Sequence, residues 1–182
     1  KELLDLSYDE SLRLESLVDN ILTAAKIESS YEFNMEAANI SELVNKRVKR
    51  FKNLNPERHF ILKADTCDTI HIDQEAIIKV VDNLLDNAIK YSLEGAPINI
   101  ILNSINNSVQ LQIIDQGAGI DEKEKRNIFK KFYRIGNEDT RETKGTGLGL
   151  FIVKEIIDAH NGHFIIENNL PQGSIFKISL PI

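Results

Sequence analysis

The chain has 182 residues, of which 42% are hydrophobic and 27% are charged, so its length and composition predict one folded domain with a short additional segment. Its formal net charge is -6 and no run of Lys and Arg exceeds two residues, which excludes the basic surface expected of a nucleic-acid-binding protein. Cys67 is the single cysteine, which excludes an internal disulfide or a cysteine-based metal site and indicates a reducing compartment.

The first element is predicted over residues 1–28, where apolar side chains spaced by three and four residues indicate one amphipathic helix. These side chains are Leu14, Leu17, Val18, Ile21, Leu22 and Ala25. One helix cannot bury its own apolar stripe, so we expect it to pack on a partner helix from outside the chain or from a second subunit. The helical pattern stops at about residue 29, which predicts two parts, residues 1–30 and residues 31–182.

Two helices follow with recognisable N-terminal caps. Asn39, with Glu42 three residues later, predicts a capping box for a helix that extends toward Leu54. Asp73 is the predicted N-cap of a long helix that ends near Tyr91.

Strands alternate with these helices and occur partly as hairpins. Asn106 and Asn107 are predicted to form a tight turn, and a helix over residues 148–160 is predicted to close at Asn161 and Gly162. The strands are predicted at residues 59–63, 69–72, 98–103, 109–114, 163–167 and 174–180. This order predicts an α+β domain with helices layered on one sheet rather than a doubly wound parallel fold.

The long helix has a polar and an apolar side, because each residue advances by about 100° around the axis. Asn83, Asn87, Lys90 and Tyr91 share the polar side. The apolar side carries Ile77, Val81, Leu84, Leu85, Ala88 and Ile89. An ordinary solvated surface is one interpretation of the polar side. The other is a Mg2+ site, because amide oxygens suit this ion and Lys90 would neutralise a phosphate.

Two glycine-containing segments follow. Asp115, Gly117 and Gly119 come directly after a predicted strand and form either a turn or a site in which the carboxylate accepts a hydrogen bond from an exocyclic amine. The segment from Gly145 to Gly149 has glycines at alternate positions and leads into a helix, whose N-terminal amides would bind a phosphate chain. Its spacing matches neither a dinucleotide-binding motif nor a P-loop.

An aromatic segment and a polar segment lie between the two glycine segments. Phe129 and Phe132 are either core residues or part of a ligand site. The polar stretch between Gly136 and Gly145 separates the predicted base site from the predicted phosphate site, so we interpret it as a lid that closes on a ligand.

Four of these segments, in this order, resemble the catalytic and ATP-binding domain of sensor histidine kinases of two-component systems, in the GHKL superfamily. Residues 83–92 resemble the family's N box, residues 115–119 its first glycine box, residues 129–134 its F box and residues 145–150 its second glycine box. The resemblance covers about residues 35–182. Residues 1–28 are similar to the second helix of the family's dimerisation and phosphoacceptor hairpin.

The resemblance implies a two-layer α/β sandwich, the Bergerat fold, with helices on one face of a mixed sheet and a long amphipathic helix before it. It also implies ATP and Mg2+ as cofactors, with Asn87 as a ligand of the metal and Asn83 beside it as a second candidate. Catalysis would depend on Asn83, Lys90 and Arg134, since Lys90 and Arg134 would contact the phosphates. The residues implied to bind the nucleotide are Asn83, Asn87, Lys90, Tyr91, Asp115, Gly117, Gly119, Ile120, Phe132, Arg134, Gly145, Thr146, Gly147, Leu148 and Gly149.

The family's phosphoacceptor histidine is missing from the chain. His59 and His71 lie in predicted strands, and His160 and His163 flank a predicted turn, so all four are interpreted as structural or surface residues. The resemblance therefore implies that the γ-phosphate is transferred to a hairpin helix outside the chain. It further implies a homodimer, a response regulator receiver domain as partner, and a cytoplasmic domain whose parent protein is anchored in the inner membrane by upstream segments.

Two alternatives remain open. An ATP hydrolase or ATP-driven clamp of the same fold would need a glutamate where this chain has Asn83, and an amide is a poor general base. A nucleotide-binding regulator that never transfers phosphate would retain the same motifs.

Overall fold

The computed structural model describes residues 2–29, 32–65, 67, 69–136 and 145–182. In these residues the helices are α1 (Glu2–Glu28), α2 (Ile40–Leu54), α3 (Gln74–Tyr91) and α4 (Gly149–Ala159). The strands are β1 (Glu36–Asn39), β2 (Phe60–Ala64), β3 (Thr69–Ile72), β4 (Ile98–Ile105), β5 (Ser108–Ile114), β6 (His163–Asn168) and β7 (Ser174–Pro181).

The main sheet has five strands in the order β2-β4-β5-β7-β6. β2 is parallel to β4, and the other neighbouring pairs are antiparallel, so the sheet is mixed. Asn106 and Asn107 have φ angles of 51° and 59° in the turn between β4 and β5, which confirms the predicted hairpin.

A separate two-stranded sheet differs from the sequence-based expectation. β1 was not predicted, and it pairs antiparallel with β3, so β3 does not join the main sheet. The pairing places Glu36 opposite Ile72. A strand of four residues whose partner is distant in the sequence leaves no local pattern, because its stability depends on cross-strand and core contacts.

The helices cover one face of the main sheet, which confirms the predicted layers. The alternate residues Ile98, Ile100 and Leu102 of β4 point into the core and are at most 1% exposed. They belong to one buried core with the apolar side of α3, whose buried residues are Ala76, Ile77, Val80, Val81, Leu84, Leu85 and Ala88. Full burial of an aliphatic side chain stabilises a fold by about 1.5–3 kcal/mol, so this layer holds α3 in a fixed rotation with its polar side outward.

Both ends of α3 are anchored. The Asp73 carboxylate caps the first turn by accepting a hydrogen bond from the Ala76 amide at 3.0 Å, as the sequence predicted. At the other end, the Arg58 guanidinium donates to the carbonyls of Ile89 and Leu93 at 3.0 and 2.9 Å. Cations at a helix C-terminus satisfy its last carbonyl groups and favour its dipole.

The N-terminal helix α1 leaves most of its predicted apolar stripe uncovered. Leu14, Val18, Ile21 and Leu22 are each about half exposed, whereas Ala24 is buried where α1 packs against α4. The partner helix stays a prediction, and the predicted boundary falls at residues 30 and 31, which are outside the described residues. No helix in the described part of the chain combines the length and the hydropathy needed to cross a membrane.

Candidate functional site

A cavity of about 960 Å3 lies between α3, the end of β5 and the start of α4. It brings together twelve of the fifteen residues that the sequence singled out. These are Asn83, Asn87, Lys90, Tyr91, Asp115, Gly119, Ile120, Arg134, Gly145, Thr146, Gly147 and Gly149. The four predicted segments therefore line one cavity, although 25 residues, 120–144, separate one glycine segment from the other.

The polar side of α3 forms one wall of this cavity. Asn83 is held by its own helix, because its Nδ2 donates to the Lys79 carbonyl at 2.9 Å. Its Oδ1 atom lies beside Gly149, where a Cβ atom would come within 2.7 Å of it. Asn87 is one turn further along and Lys90 follows on the same side. These three predicted residues give the wall two neutral amide groups and one amine.

Asp115 lines the cavity near the C-terminal end of α3 and is only 2% exposed. Its Oδ1 accepts hydrogen bonds from the backbone amides of Gly117 at 2.8 Å and Ser174 at 3.2 Å. Burial raises the pKa of the Asp115 carboxyl above its ordinary value, while the hydrogen bonds from Gly117 and Ser174 oppose that shift. The carboxylate is held by these two backbone amides, and the Ser174 side chain is a further hydrogen-bond partner.

Gly117 does not line the cavity but brings two elements together. A Cβ atom at this position would lie 2.2 Å from the Tyr91 carbonyl oxygen, so only glycine permits the observed contact. A bridge between Ser92 and Gly117 joins the same two segments. The end of α3 is thereby placed next to Asp115.

The second glycine segment begins α4 at the edge of the cavity. Gly147 has a φ of +72°, and a Cβ atom there would lie 2.7 Å from the backbone of Phe132. Thr146 Oγ1 accepts a hydrogen bond from the Leu148 amide at 3.2 Å. Leu148 itself is 1% exposed and belongs to the core, so its side chain is not brought to the cavity. The helix N-terminus and the small residues before it form a surface suited to an anion.

The aromatic segment divides into core and surface residues. Phe129 packs edge-on against Phe164, with ring centroids 5.3 Å apart, which favours the core interpretation of this residue. Phe132 is 66% exposed and does not line the cavity, whereas Tyr133 and Arg134 do. The predicted lid between Gly136 and Gly145 lies outside the described residues, so its closure stays a prediction.

Several cavity residues were missed by the sequence interpretation. On α3 they are Lys79, Asp82 and Asp86, and on α1 they are Leu17, Asp19 and Asn20. Lys79 and Asp86 are at about -40° and -60° from Asn83 around the helix. The calculation of 100° per residue that placed Asn87 and Lys90 on the polar side of α3 therefore also places these two residues there. The three α1 residues carried no such signal, because their position depends on how α1 packs on the rest of the chain.

Asp82 is tied to α2. The Arg47 guanidinium contacts both of its carboxylate oxygens, with Nε at 2.7 Å and Nη2 at 2.5 Å. Both side chains are largely buried, so this bidentate pair fixes the carboxylate beside Asn83 and neutralises its charge.

The donor atoms fit Mg2+ better than a transition metal. Within the described residues, no group of three or more His, Cys, Asp or Glu side chains is placed to hold a metal ion. The amide oxygens of Asn83 and Asn87 are hard neutral ligands, and Mg2+ commonly completes its coordination with water and substrate phosphates. A metal in this cavity would therefore depend on a phosphorylated ligand.

The histidines lie away from these residues. His59, His71 and His163 are exposed, and His160 is buried between α4 and the start of α3. His160 Nδ1 lies 2.7 Å from the Ile156 carbonyl and its Nε2 accepts from the Asp73 amide at 3.0 Å. Both ring nitrogens are engaged, which agrees with the structural role predicted for this residue.

Comparison with known proteins agrees with this geometry. Residues 72–182 match the family model described as histidine kinase-, DNA gyrase B- and HSP90-like ATPase. The sensor histidine kinase WalK of Bacillus subtilis is 34% identical over 182 residues, which cover 97% of this chain and 30% of WalK. The chain spans 20% to 40% of the length of the curated sensor kinases that it matches.

Solved structures show the same fold. Histidine kinase AdeS of Acinetobacter baumannii is 28% identical, with a TM-score of 0.79 over 100% of this chain and 85% of AdeS. Histidine kinase ThkA, solved in complex with the response regulator protein TrrA, is 27% identical, with a TM-score of 0.76 over 100% of this chain and 51% of ThkA. These similarities extend through α1 as well as the α/β domain.

Proposed function

Because this chain belongs to the histidine kinase-, DNA gyrase B- and HSP90-like ATPase family, and within it to the sensor histidine kinases, we propose that its cavity binds Mg-ATP for phosphoryl transfer to a histidine. The acceptor is a histidine on the first hairpin helix, outside the chain. α1 is the second helix of that hairpin, and residues 31–182 form the catalytic domain.

One observation carries this proposal: a single cavity has a buried carboxylate at one end and an amide-bearing helix along its wall. Asp115 would accept a hydrogen bond from the adenine amine, and Tyr91 lies beside it to line the base site. The triphosphate would then extend along α3 toward Asn83, opposite the N-terminus of α4. Asn83 is about 12 Å from Tyr91 along α3 at about 1.5 Å per residue, a separation that suits an elongated ligand with a flat base and a charged chain.

Each group has a role in positioning rather than in covalent chemistry. Asn87 would hold Mg2+ with Asn83 as its neighbour, and the ion would neutralise charge on the phosphates. Lys90 and Arg134 would contact the phosphate oxygens, while the backbone amides at the start of α4 bind the chain without a side chain. Phosphoryl transfer depends mainly on such positioning and charge stabilisation, so no intermediate on this domain is required.

Hydrolysis of ATP is disfavoured in this site. The position from which related hydrolases activate water carries Asn83, whose amide does not take up a proton near neutral pH. The carboxylate next to it, Asp82, is paired with Arg47. These observations favour a histidine kinase over an ATP hydrolase or an ATP-driven clamp.

Two observations support the proposed partners of the whole protein. The exposed stripe of α1 fits the first hairpin helix and a second subunit, which would give the homodimer. The ThkA complex with a response regulator supports a receiver domain as the next phosphate acceptor. Upstream membrane segments would anchor the parent protein and leave this domain in the cytoplasm.

The proposal is tested by supplying a separate hairpin that carries the acceptor histidine, together with Mg-ATP labelled at the γ-phosphate. We expect label on that hairpin and none on a hairpin with glutamine in place of the histidine. Nucleotide binding without any label would support the regulator, and release of free phosphate without the hairpin would support the hydrolase. Either result would overturn the kinase assignment.

A further inference from the structure

The hairpin helix α1 supplies part of the cavity wall. Leu17, Asp19 and Asn20 line the cavity together with the polar side of α3. At about 100° per residue, Asp19 and Asn20 lie about 100° or more around α1 from the exposed residues Leu14 and Val18, whereas Leu17 lies at the edge of that exposed stripe. The nucleotide cavity is therefore shared between the two parts of the chain.

Lys79 connects these two parts. Its Nζ lies 3.2 and 3.1 Å from the two carboxylate oxygens of Asp19 and donates to Thr23 Oγ1 at 2.5 Å. The side chain of Asp19 is 64% exposed and that of Lys79 is 38% exposed. Ion pairs this accessible to water contribute little to stability, so another anion can replace the carboxylate at low cost.

The order of residues along α3 places Lys79 at one end of the cavity. The C-terminal end of α3 is next to the base site, because the Tyr91 carbonyl packs against Gly117. At about 1.5 Å per residue, Asn87 is about 6 Å from Tyr91 along the axis, Asn83 about 12 Å and Lys79 about 18 Å. Lys79 therefore lies beyond both amides, on the side farthest from the base.

A second contact secures α1 independently of Lys79. Glu28 near the end of α1 forms an ion pair with Lys131, whose Nζ also lies 4.9 Å from the centroid of the Phe151 ring. Ala24 is buried between these two points. Loss of the Asp19 contact would therefore change one end of the α1 interface while the other end stays attached.

We propose that Lys79 recognises the terminal phosphate of ATP, and that this phosphate replaces Asp19 as the partner of its amine. This inference rests on the proposed function, since it needs the triphosphate to extend along α3. The diphosphate chain of ADP is one phosphate shorter and ends before Lys79. Lys79 thus distinguishes ATP from ADP, and the exchange links the γ-phosphate to the position of α1.

The experiment is calorimetric titration of the full chain with Mg-ATP and with Mg-ADP. Lys79→Gln should weaken ATP binding about tenfold and change ADP binding less than twofold, while Lys79→Arg should keep the preference for ATP. Asp19→Asn should tighten ATP binding about threefold, because it removes the competing carboxylate. Glu15→Gln is the matched control: it removes the same charge from an exposed position one turn away on α1 and should change neither affinity.

The outcomes separate this inference from the proposed function. If the unmodified chain binds neither nucleotide, the proposed function fails. If it binds both, but Lys79→Gln weakens ATP and ADP equally or weakens neither, the inference is wrong and the proposed function stands. A thermal melt of each variant checks folding, and Asp19→Asn tests the same exchange from the opposite side should Lys79→Gln not fold.

Discussion

At the residue scale, Asp115 is a carboxylate oriented by backbone amides rather than by a neighbouring cation. In Asp115→Asn, the amide oxygen can keep those two contacts, but an NH2 group then replaces an acceptor at the base site. Hydrogen bonds to charged groups contribute about 1.5–3 kcal/mol, so affinity for Mg-ATP should fall roughly ten- to a hundredfold. Titration calorimetry measures the change.

The control for this substitution is Asp158→Asn, which makes the same chemical change at an exposed position on α4 outside the cavity. It should leave nucleotide affinity unaltered. An Asp115→Asn variant that binds Mg-ATP as tightly as the unmodified chain would remove Asp115 from the site.

Gly149 is a second position where a small substitution should affect the site, because an added Cβ atom would contact Asn83. A Cβ atom there would lie 2.7 Å from Asn83 Oδ1, and the end of the Asn83 side chain can move away more easily than backbone can. Gly149→Ala should therefore displace the Asn83 amide, which we propose lies beside the metal, and weaken Mg-ATP binding about tenfold, while the melting temperature stays within a few degrees. Titration and a thermal melt of the same sample check both parts.

Gly145→Ala is the matched control, because no atom of the described residues lies within 4 Å of a Cβ at this position and its φ is outside the left-handed region. It adds the same methyl group to the same glycine segment. Equal losses of affinity in the two alanine variants would contradict the proposed contact between Gly149 and Asn83.

At the scale of elements, His160 joins the end of α4 to the start of α3. Burial lowers the pKa of its imidazole below the ordinary value of 6.5, although the Ile156 carbonyl and Asp73 oppose the shift. The neutral ring accepts a hydrogen bond from the Asp73 amide, and a proton on Nε2 would abolish that acceptor. Protonation is therefore disfavoured in the folded state.

The pKa of His160 is lower in the folded chain than in the unfolded chain, and this difference sets the sign of the pH effect on stability. Below about pH 6.5 the unfolded chain binds a proton at His160 before the folded chain does, so the free energy of unfolding falls as the pH drops toward the lower folded-state pKa. The slope reaches at most about 1.4 kcal/mol per pH unit. Denaturant unfolding between pH 7 and 5 measures it.

Comparison with two variants isolates this group. His160→Gln should lose the extra slope, because an amide does not titrate in this range, whereas His71→Gln at an exposed position should keep it. Identical pH dependence in all three proteins would show that His160 does not couple folding to protons.

The helical elements could be predicted because their signals are local. Asp73 and Asn39 cap α3 and α2 as the sequence indicated, through the amides of Ala76 and Glu42. The rotation of α3 followed from its apolar side alone. The pairing of β1 with β3 could not be predicted in this way, because neither strand has a pattern that specifies a distant partner.

At the scale of the whole molecule, the part of the candidate site that is formed by sequence motifs could be predicted. Asn83, Asn87, Lys90 and Asp115 share one cavity, as expected from motifs separated along the chain. Phe132 and Leu148 belong to those motifs as well, but surface exposure and core packing keep their side chains out of the cavity.

The contribution of α1 belongs to the same scale and escaped prediction. Asp19 and Lys79 are 60 positions apart in the sequence, and neither carries a motif. Their contact exists because α1 packs against α4, and no local periodicity describes that arrangement. Contacts between the two parts of the chain could be found only from the fold.

We propose that one cavity holds the base at Asp115 and a metal-bound phosphate chain at the α3 amides. A crystal structure of the chain with Mg2+ and a non-hydrolysable ATP analogue would test both parts of this proposal at once. We expect the adenine amine within hydrogen-bonding distance of Asp115 and Mg2+ coordinated by the Asn87 side-chain oxygen. A nucleotide bound outside this cavity, or a metal ion with no contact to α3, would overturn the proposal.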